Sequence, residues 1–232
     1  MALPSISTPE FQTVIPSTGE TIAYRPFLVK EEKILLMAME GGDAREMSNA
    51  MLNILKGCIL SDIDISKLAT FDVEYLFLTL RSKSVGEVMT LNVKHTTETE
   101  CQHITEIKVN IDDINVQGDI NDGKIMLTDT VGIKLRYPQM SDLDAVSTAD
   151  SESLFKMIRR CIEYIFDKED VYSDFTEKEL EEWMDGLNQA QFGSITKFFE
   201  DAPKLSHTIE WTCQQCGEKD IIKLEGLQSF FT

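Results

Sequence analysis

Hydrophobic residues follow two different periods along the chain, and the alternation between these periods predicts a mixed α+β fold. Segments with apolar residues at helical spacing lie at 30–39, 44–60, 71–80, 154–166 and 176–199. Strand-like segments lie at 21–26, 89–94, 104–109, 132–138, 208–211 and 221–224. The last helical segment begins with Thr176-Glu-Lys-Glu179, which is a capping-box pattern.

Two parts of the chain follow one plan. Each opens on a strand that ends in arginine and proline, at Arg25-Pro26 and at Arg136-Tyr-Pro138, and proline stops strand pairing. Helices, an acidic link, another helix and a strand–turn–strand segment follow in both. We therefore predict two similar halves, 1–113 and 132–232. Each would be a β-hairpin plus helices plus a strand–knuckle–strand, in which the knuckle is a tight turn that carries metal-binding side chains. Residues 114–131 would form a linker or hairpin between them.

The most specific motif is Cys213-Gln-Gln-Cys216-Gly217, which lies between two predicted strands. A Cys-x-x-Cys turn of this kind presents two thiolates to one metal ion, and the glycine after it relieves the tight turn. A structural zinc site needs four ligands, so two more are expected upstream.

The upstream pair is predicted at His95 and Cys101, which also lie between two predicted strands. Cys101 precedes Val109 by the same eight positions that separate Cys216 from Leu224. The predicted zinc ligands are His95, Cys101, Cys213 and Cys216, with His103 as a substitute histidine. One zinc would join the two halves in a zinc-ribbon-like site.

Other interpretations of the cysteine motif stay open at this point. The knuckle could be degenerate and bind no metal, or the cysteines could serve redox chemistry or a disulfide. A thioredoxin-type motif is disfavoured because β-prone residues follow Cys216. A catalytic zinc would need an open position and a base such as Glu98, Glu100 or Glu218, and the ligand spacing favours a closed structural site.

Net charge, the apolar runs and the number of cysteines limit the partners and the cysteine chemistry that this chain can be expected to have. The 232-residue chain has a formal net charge of −18, which argues against nucleic acid or anionic membrane as a partner and is compatible with protein partners. The start of the chain does not resemble a signal peptide, and its longest apolar run, 34–39, is too short to span a bilayer. Five cysteines favour thiols and metal over disulfides, and Cys58 and Cys161 are predicted to be buried in helices.

Catalytic motifs are missing from the sequence. No phosphate-binding loop, His-Glu-x-x-His or Gly-x-Ser-x-Gly occurs. Ser-x-x-Lys occurs at Ser153 and at Ser194, but both lie in helical segments without the partner motifs of acyl-transfer enzymes. We therefore expect a protein without enzymatic activity.

Several longer runs resemble one family, the T-even-type phage baseplate hub proteins. The similar runs are 18–20, 24–33, 70–78, 81–87 and the Cys-x-x-Cys segment with 224–231. The resemblance covers nearly the whole chain. It departs at the upstream knuckle, where His95 and Cys101 stand in place of a regular cysteine pair.

The resemblance implies a structural component of a contractile tail baseplate that takes part in assembly of the central hub. Its implied partners are other hub and tail proteins, with the tape-measure protein as a candidate, while the net charge already argues against nucleic acid and membrane. The implied location is the host cytoplasm during assembly and then the virion baseplate. The alternatives are an assembly chaperone that leaves before the virion is complete and, more remotely, a zinc-dependent hydrolase.

Two apolar segments are candidates for protein contacts. Residues 27–29 are expected to pack in the core instead, whereas Phe230-Phe231 is left open between docking and exposure.

Overall fold

The computed structural model describes residues 7–42, 44–95, 101–145, 151–226 and 229. Within these residues the α-helices are α1 Val29–Gly41, α2 Ala44–Cys58, α3 Thr70–Val85, α4 Ser151–Cys161, α5 Glu177–Asp185 and α6 Gln189–Glu200. The strands are β1 Phe11–Val14, β2 Thr21–Tyr24, β3 Val88–Val93, β4 Thr105–Asn110, β5 Asn115–Gln117, β6 Lys124–Met126, β7 Gly132–Leu135, β8 Ile162–Phe166, β9 Val171–Tyr172, β10 Lys204–Thr212 and β11 Lys219–Glu225. The α+β class is confirmed.

The strands form small antiparallel sheets, and two of these sheets carry the knuckles. β3 pairs with β4, and β10 pairs with β11 on one side and β5 on the other. β1 and β2 form a separate hairpin, while β6, β7, β8 and β9 make a four-stranded sheet in chain order. The pairs β1–β2, β6–β7, β8–β9 and β10–β11 are hairpins joined by short turns, whereas β7 and β8 are joined through α4, and β5 and β10 are far apart in the chain.

The chain divides into two compact units. The first unit contains 1–65, 71–117 and 204–232, and the second contains 66–70 and 118–203. The final hairpin belongs to the first unit because β10 pairs with β5, with Leu205 opposite Val116. This division differs from the expected one into 1–113 and 132–232, and the duplicated plan itself stays a prediction.

Each unit has its own buried side chains. In the first unit they come mainly from α2 and α3, where Ile54, Leu76 and Phe77 have no exposed surface. The second unit has a continuous apolar cluster, formed by Ile133, Leu135, Ile158, Ile162, Ile165, Leu180, Met184, Ile195 and Phe198. Burial of such side chains contributes roughly 1.5–3 kcal/mol each to folding, before the loss of chain entropy is subtracted.

The helical prediction for 154–166 is wrong in its last third. The helix α4 ends at Cys161, and 162–166 forms β8, in which Ile165 lies opposite Ile133 of β7. Four of these five residues are strand formers, namely Ile162, Tyr164, Ile165 and Phe166. Pairing with β7 and β9 outweighs the helical spacing of the same apolar positions.

The predicted helix 176–199 is two helices. Its capping box is confirmed, because the Thr176 hydroxyl accepts from the Glu179 N–H at 3.3 Å and the Glu179 carboxylate accepts from the Thr176 N–H at 2.8 Å. A second capping box joins Asn188 and Gln191 in the same way at 3.0 and 2.9 Å. This second start signal ends α5 and begins α6.

Residues 114–131, expected to form a linker or hairpin, contain two short strands. The segment 115–117 forms β5, and 124–126 forms β6, which pairs with β7 as a hairpin. The turn chemistry is present, since the Asn121 side chain accepts from the Gly123 N–H at 2.9 Å. Gly123 has φ +70°, and a Cβ there would collide with the carbonyl of Leu135.

Two of the three residues in the segment 27–29, a candidate for protein contacts, are more exposed than predicted. Phe27 is half-buried, with its ring centroid 5.5 Å from that of Phe77. Leu28 and Val29 were expected in the core but are 37% and 66% exposed, because they cap and begin α1 at the surface. Phe230 and Phe231 lie outside the described residues.

An arginine at the end of β2 organises the first unit. Arg25 donates to the Glu31 carboxylate at 2.8 Å, to the Gly57 carbonyl at 2.6 Å and to the Cys58 sulfur at 3.6 Å. The other Glu31 oxygen accepts from the Leu28 N–H at 2.9 Å. Cys58 is fully buried as predicted, and burial raises its pKa to about 11.

Arg136, one residue beyond the end of β7, makes the same set of contacts in the second unit. It donates to both oxygens of Asp142, at 2.6 and 3.1 Å, and to the Arg160 carbonyl at 2.8 Å. Asp142 also accepts from the Gln139 N–H at 2.8 Å. Cys161 is fully buried as predicted, 3.9 Å from the guanidinium, and burial raises its pKa to about 12.

Candidate metal centre

The first half of the candidate site lies at the open end of the β3–β4 hairpin. Val93 pairs with Thr105 at this end. His95 follows Val93 by two residues, and Cys101 precedes Thr105 by four. The hairpin register therefore brings the imidazole and the thiol to the same end of the sheet. Residues 96–100 between them are not described.

The second half is the turn between β10 and β11. Thr212 pairs with Lys219, and the six residues between them form the knuckle. The Cys213 N–H donates to the Glu218 carbonyl at 2.8 Å, and the Gly217 N–H donates to the Cys213 carbonyl at 3.0 Å. Gly217 has φ +73°, a conformation that glycine adopts without the steric cost of a Cβ. This backbone path places both cysteine side chains on one side of the turn.

One hydrogen bond joins the two hairpins directly. The Gln214 N–H of the knuckle donates to the Thr105 hydroxyl of β4 at 3.3 Å. Thr105 is only 2% exposed, so this bond is sheltered from water. Both hairpins belong to the first unit.

The four predicted ligands come together in one cluster. One ligand atom from each of His95, Cys101, Cys213 and Cys216 lies within 4.8 Å of all the others. The sulfurs of Cys101 and Cys213 are 3.8 Å apart, and the Cys216 sulfur is 3.4 Å from Nε2 of His95. This cluster could bind a metal ion.

These distances can be compared with a tetrahedral zinc site. With zinc–sulfur bonds of about 2.3 Å and zinc–nitrogen bonds of about 2.05 Å, neighbouring sulfurs are about 3.8 Å apart and sulfur and nitrogen about 3.5 Å apart. Two of the six separations in the cluster, 3.8 Å between Cys101 and Cys213 and 3.4 Å between Cys216 and His95, match edges of such a tetrahedron, and all six are within 4.8 Å. Three thiolates and one imidazole are a common structural zinc set.

Residues around His95 fix the orientation of its ring. The imidazole is 2% exposed, and its centroid lies 5.2 Å from that of Trp211. Its Nδ1 faces the Asp220 carboxylate at 3.8 Å, while Nε2 points to the sulfur cluster. A carboxylate hydrogen-bonded to the second ring nitrogen is a usual partner of metal-binding histidines, and Asp220 lies on that side of the ring at a distance longer than a direct hydrogen bond.

The thiols differ in their readiness to ionise. Backbone N–H groups of Cys216 and Gln215 donate to Cys213 and lower its pKa to about 5. At Cys216 the Glu218 N–H acts in the same direction, but burial and the nearby Cys213 and Cys101 together raise its pKa. Negative charge on one sulfur opposes ionisation of its neighbours, and a bound cation would remove that repulsion.

The remaining sequence candidates are not part of the cluster. His103 is described but lies outside it, so the structure brings His95 rather than His103 to the cysteines. Glu98 and Glu100 are not among the described residues. Sequence reasoning missed Trp211 and Asp220, although the register of β10 and β11 places them opposite each other next to the knuckle. Their closeness to the Cys-x-x-Cys motif was the available signal.

The protein is therefore of the α+β class, and two of its β-hairpins together hold a cluster of three thiols and one imidazole. Residues 8–232 match the model of the family described as T4 bacteriophage base plate protein, and the chain belongs to this family. The resemblance noted in the sequence is thereby confirmed at family level. No curated protein and no solved structure matches the chain. No helix among the described residues is long and apolar enough to cross a membrane.

Proposed function

We propose that this protein is a structural component of a contractile phage tail that takes part in assembling the central hub of the baseplate. The observation that carries the proposal is the family match over 8–232, which supports a structural baseplate role in general. The hub assignment, with other hub proteins and the tape-measure protein as partners, rests on the resemblance of the longer sequence runs. Assembly would begin in the host cytoplasm and end in the virion baseplate.

A structural role also agrees with the candidate site. Four protein ligands around one ion leave no coordination position for substrate or water, unlike a catalytic zinc site. The family is a structural one, which favours a protein without enzymatic activity. The net charge of −18 disfavours direct binding to nucleic acid.

Quantitative mass spectrometry of virions and of baseplate intermediates tests this role. A phage with an amber mutation in this gene provides the matched control. We expect the protein in purified virions at a fixed ratio to other baseplate proteins, and defective baseplates in the mutant. If the mutant baseplates are defective but the protein is absent from virions, the chaperone alternative replaces the structural one. Normal virions from the mutant would contradict both.

We further propose that His95, Cys101, Cys213 and Cys216 bind one zinc ion in a closed structural site. Thiolate and imidazole ligands favour zinc among the common biological cations, and two of the six ligand separations equal edges of a tetrahedral site. Cys101 and Cys213 are 112 positions apart in the chain, so one ion would close a long chain loop. Much of the binding free energy would therefore appear as stability of the folded first unit.

Cobalt substitution tests the ligand set directly. Cobalt(II) bound to several thiolates absorbs strongly, and zinc should displace it. Replacing the exposed thiol in Cys216→Ser should weaken cobalt binding by at least about tenfold, since a ligand is lost. Gln214→Ala, in the same turn, is the matched control and should leave binding unchanged. Cobalt affinity that does not respond to Cys216→Ser would contradict the site.

Cys213→Ser separates the structural site from the hydrolase alternative. Loss of a structural ligand should lower the melting temperature, since metal binding contributes to folding. A zinc hydrolase would instead keep its melting temperature and lose activity towards its substrate. An unchanged melting temperature together with loss of activity would favour the hydrolase over the structural site.

We also infer that the chain contains a duplicated unit. The support is the pair of arginine networks. In each, an arginine near a strand end binds a carboxylate six residues downstream and the sulfur of a cysteine at the end of a helix. Each arginine N–H also donates to the carbonyl of that cysteine at 2.9 Å. In this interpretation each copy ends in one knuckle and supplies two of the four metal ligands.

A further inference from the structure

A groove in the second unit has a lining that neither the metal site nor the arginine networks use. Its volume is about 420 Å³, and it is bounded by β8, β9, the turn that joins them and the first turns of α5. Its lining combines aromatic rings, among them Phe166, Tyr172 and Trp183, with the carboxylates of Asp167, Asp174 and Glu179. All these residues belong to the second unit.

The floor of the groove is aromatic and remains accessible. Phe166, Phe175 and Trp183 are half-buried, and Tyr172 is 49% exposed. Val171, the neighbour of Tyr172 on β9, is 64% exposed. Concave sites lined by several aromatic rings can accept a large apolar side chain from a protein partner, and such contacts dominate interface energies.

The groove is also acidic. Asp167, Asp174 and Glu179 line it, and among the described residues none of the three forms an ion pair with lysine or arginine. Lys156, Arg159 and Arg160 line a neighbouring pocket that shares Phe175 and Leu180 with the groove. Aromatic faces next to carboxylates suit a cationic side chain, which both can attract.

Two of these carboxylates are held in place. Asp167 accepts from the N–H groups of Glu169 and Asp170 and from the Tyr172 hydroxyl, each at 2.9 Å. The backbone donors, that of Asp170 first, lower the pKa of Asp167. Hydrogen bonds from Thr176 likewise lower the pKa of Glu179. Both groups therefore stay negatively charged at neutral pH in a fixed position.

We propose that this groove binds a segment of another tail protein that carries a large apolar or aromatic anchor flanked by lysine or arginine. The apolar floor takes the anchor, and Asp167, Asp174 and Glu179 bind the flanking cations. A second copy of this chain is disfavoured because each copy carries a net charge of −18. The proposal rests on the proposed role in tail assembly, which supplies the protein partners.

Synthetic peptides test the chemistry of the groove. The probe is the hexapeptide KRFLKR, compared by calorimetry with the charge-reversed EEFLEE and the anchorless KRGSKR, using the full-length protein. We expect measurable binding of KRFLKR and at least about tenfold weaker binding of each comparison peptide. Absence of binding, or equal binding of KRFLKR and either comparison peptide, would overturn the proposal.

Two charge-matched variants locate the binding. Asp174→Lys should weaken KRFLKR binding by at least about tenfold, because it reverses a charge in the groove. Glu200→Lys makes the same change in net charge at an exposed position outside the groove and should change affinity less than about twofold. Equal effects of the two variants would show attraction by overall charge and would overturn the assigned site.

A photoreactive residue in place of Tyr172 extends the test to assembled tails. The crosslinked peptide should come from another tail protein and contain lysine or arginine beside an apolar anchor. Crosslinking to a second copy, to an acidic segment or to nothing would contradict the proposal. If virions contain the protein but neither peptide nor crosslink is found, the groove assignment fails while the baseplate role stands. If KRFLKR binds but virions and baseplates lack the protein, the structural baseplate role fails instead.

Discussion

Arg25 and Arg136 each connect a strand end, a carboxylate and a helix end through one guanidinium. The Arg25 side chain is 12% exposed and that of Glu31 is 5% exposed, so their ion pair is largely removed from water. A pair of this kind adds little net stability over a well-packed apolar pair, but loss of one member leaves the other charge buried and uncompensated. The sensitivity of the fold to these residues therefore comes from the charge left behind.

Arg25→Met tests this argument. Loss of Arg25 leaves the Glu31 carboxylate with only the exposed Lys30, 3.3 Å away, and should lower the free energy of unfolding by up to about 3–5 kcal/mol. Urea unfolding measures the change, and Arg25→Met/Glu31→Leu is the control that removes both charges. We expect the double variant to recover a large part of the loss. A single-variant cost below about 1 kcal/mol, the range of exposed pairs, would contradict the buried role.

Acid should remove the stability that comes from the same carboxylates. Burial alone would raise the pKa of Glu31, but the hydrogen bonds from Arg25 and the Leu28 N–H outweigh it and lower the pKa below its ordinary value. At Asp142 burial acts in the same upward direction, and the hydrogen bonds from Arg136 and the Gln139 N–H likewise lower the pKa. Stability from these groups is present above their unfolded pKa values and is lost as pH falls through the lower folded values.

Unfolding free energies between pH 7 and pH 3 measure this effect. Wild-type protein should lose more stability below about pH 4.5 than Glu31→Gln, which cannot titrate at this position. Parallel curves for the two proteins would show that Glu31 does not contribute to the acid sensitivity.

At the scale of elements, start signals and strand pairing decide where helices end. The capping box at Asn188 divides the predicted helix 176–199, and pairing with β7 turns 162–166 into a strand. The capping box at Thr176 could be recognised in the sequence because a long segment with helical spacing of apolar residues begins directly after it. The capping box at Asn188 lies in the middle of that segment, and the helical spacing continues on both sides of it, so a helix end could not be recognised there from the spacing. The strand 162–166 was missed because helical spacing of its apolar residues continues that of α4, and only the tertiary partner distinguishes the two.

The two capping boxes should each stabilise the second unit. Thr176→Ala and Asn188→Ala should lower the free energy of unfolding by about 1 kcal/mol each, since a helix N–H loses its side-chain partner. Ser194→Ala, within α6, is the control and should change stability by less than about 0.5 kcal/mol. Chemical denaturation measures all three. An equal cost for all three variants would contradict the capping role.

The ligand set of the candidate site could be predicted because it depends on local features. A Cys-x-x-Cys turn and a second turn at matching distance from its strand identify four residues without knowledge of the fold. The groove could not be predicted in this way, and for Asp220 the sequence offered only its closeness to the Cys-x-x-Cys motif. Asp220 acts on His95 only through the approach of the two hairpins, and the groove needs β8, which the sequence pattern had assigned to a helix.

At the scale of the whole molecule, the two units should respond differently to loss of the metal. All four candidate ligands belong to the first unit, and so does Trp211 beside His95, whereas Trp183 belongs to the second. Each tryptophan therefore reports on one unit.

Tryptophan fluorescence of two single-tryptophan variants measures this difference. In Trp183→Phe, which retains Trp211, addition of a chelator should change the emission spectrum. In Trp211→Phe, which retains Trp183, the spectrum should change little, since no ligand lies in that unit. Equal changes in both would contradict a site confined to the first unit.

Zinc content of the purified full-length protein, with melting curves in the presence and absence of chelator, tests the central claim most directly. The account predicts about one zinc per chain and a clear fall in melting temperature when the zinc is removed, since binding of the ion is coupled to folding. Protein that contains no metal, takes up none when zinc is supplied, and melts at the same temperature with chelator would contradict it.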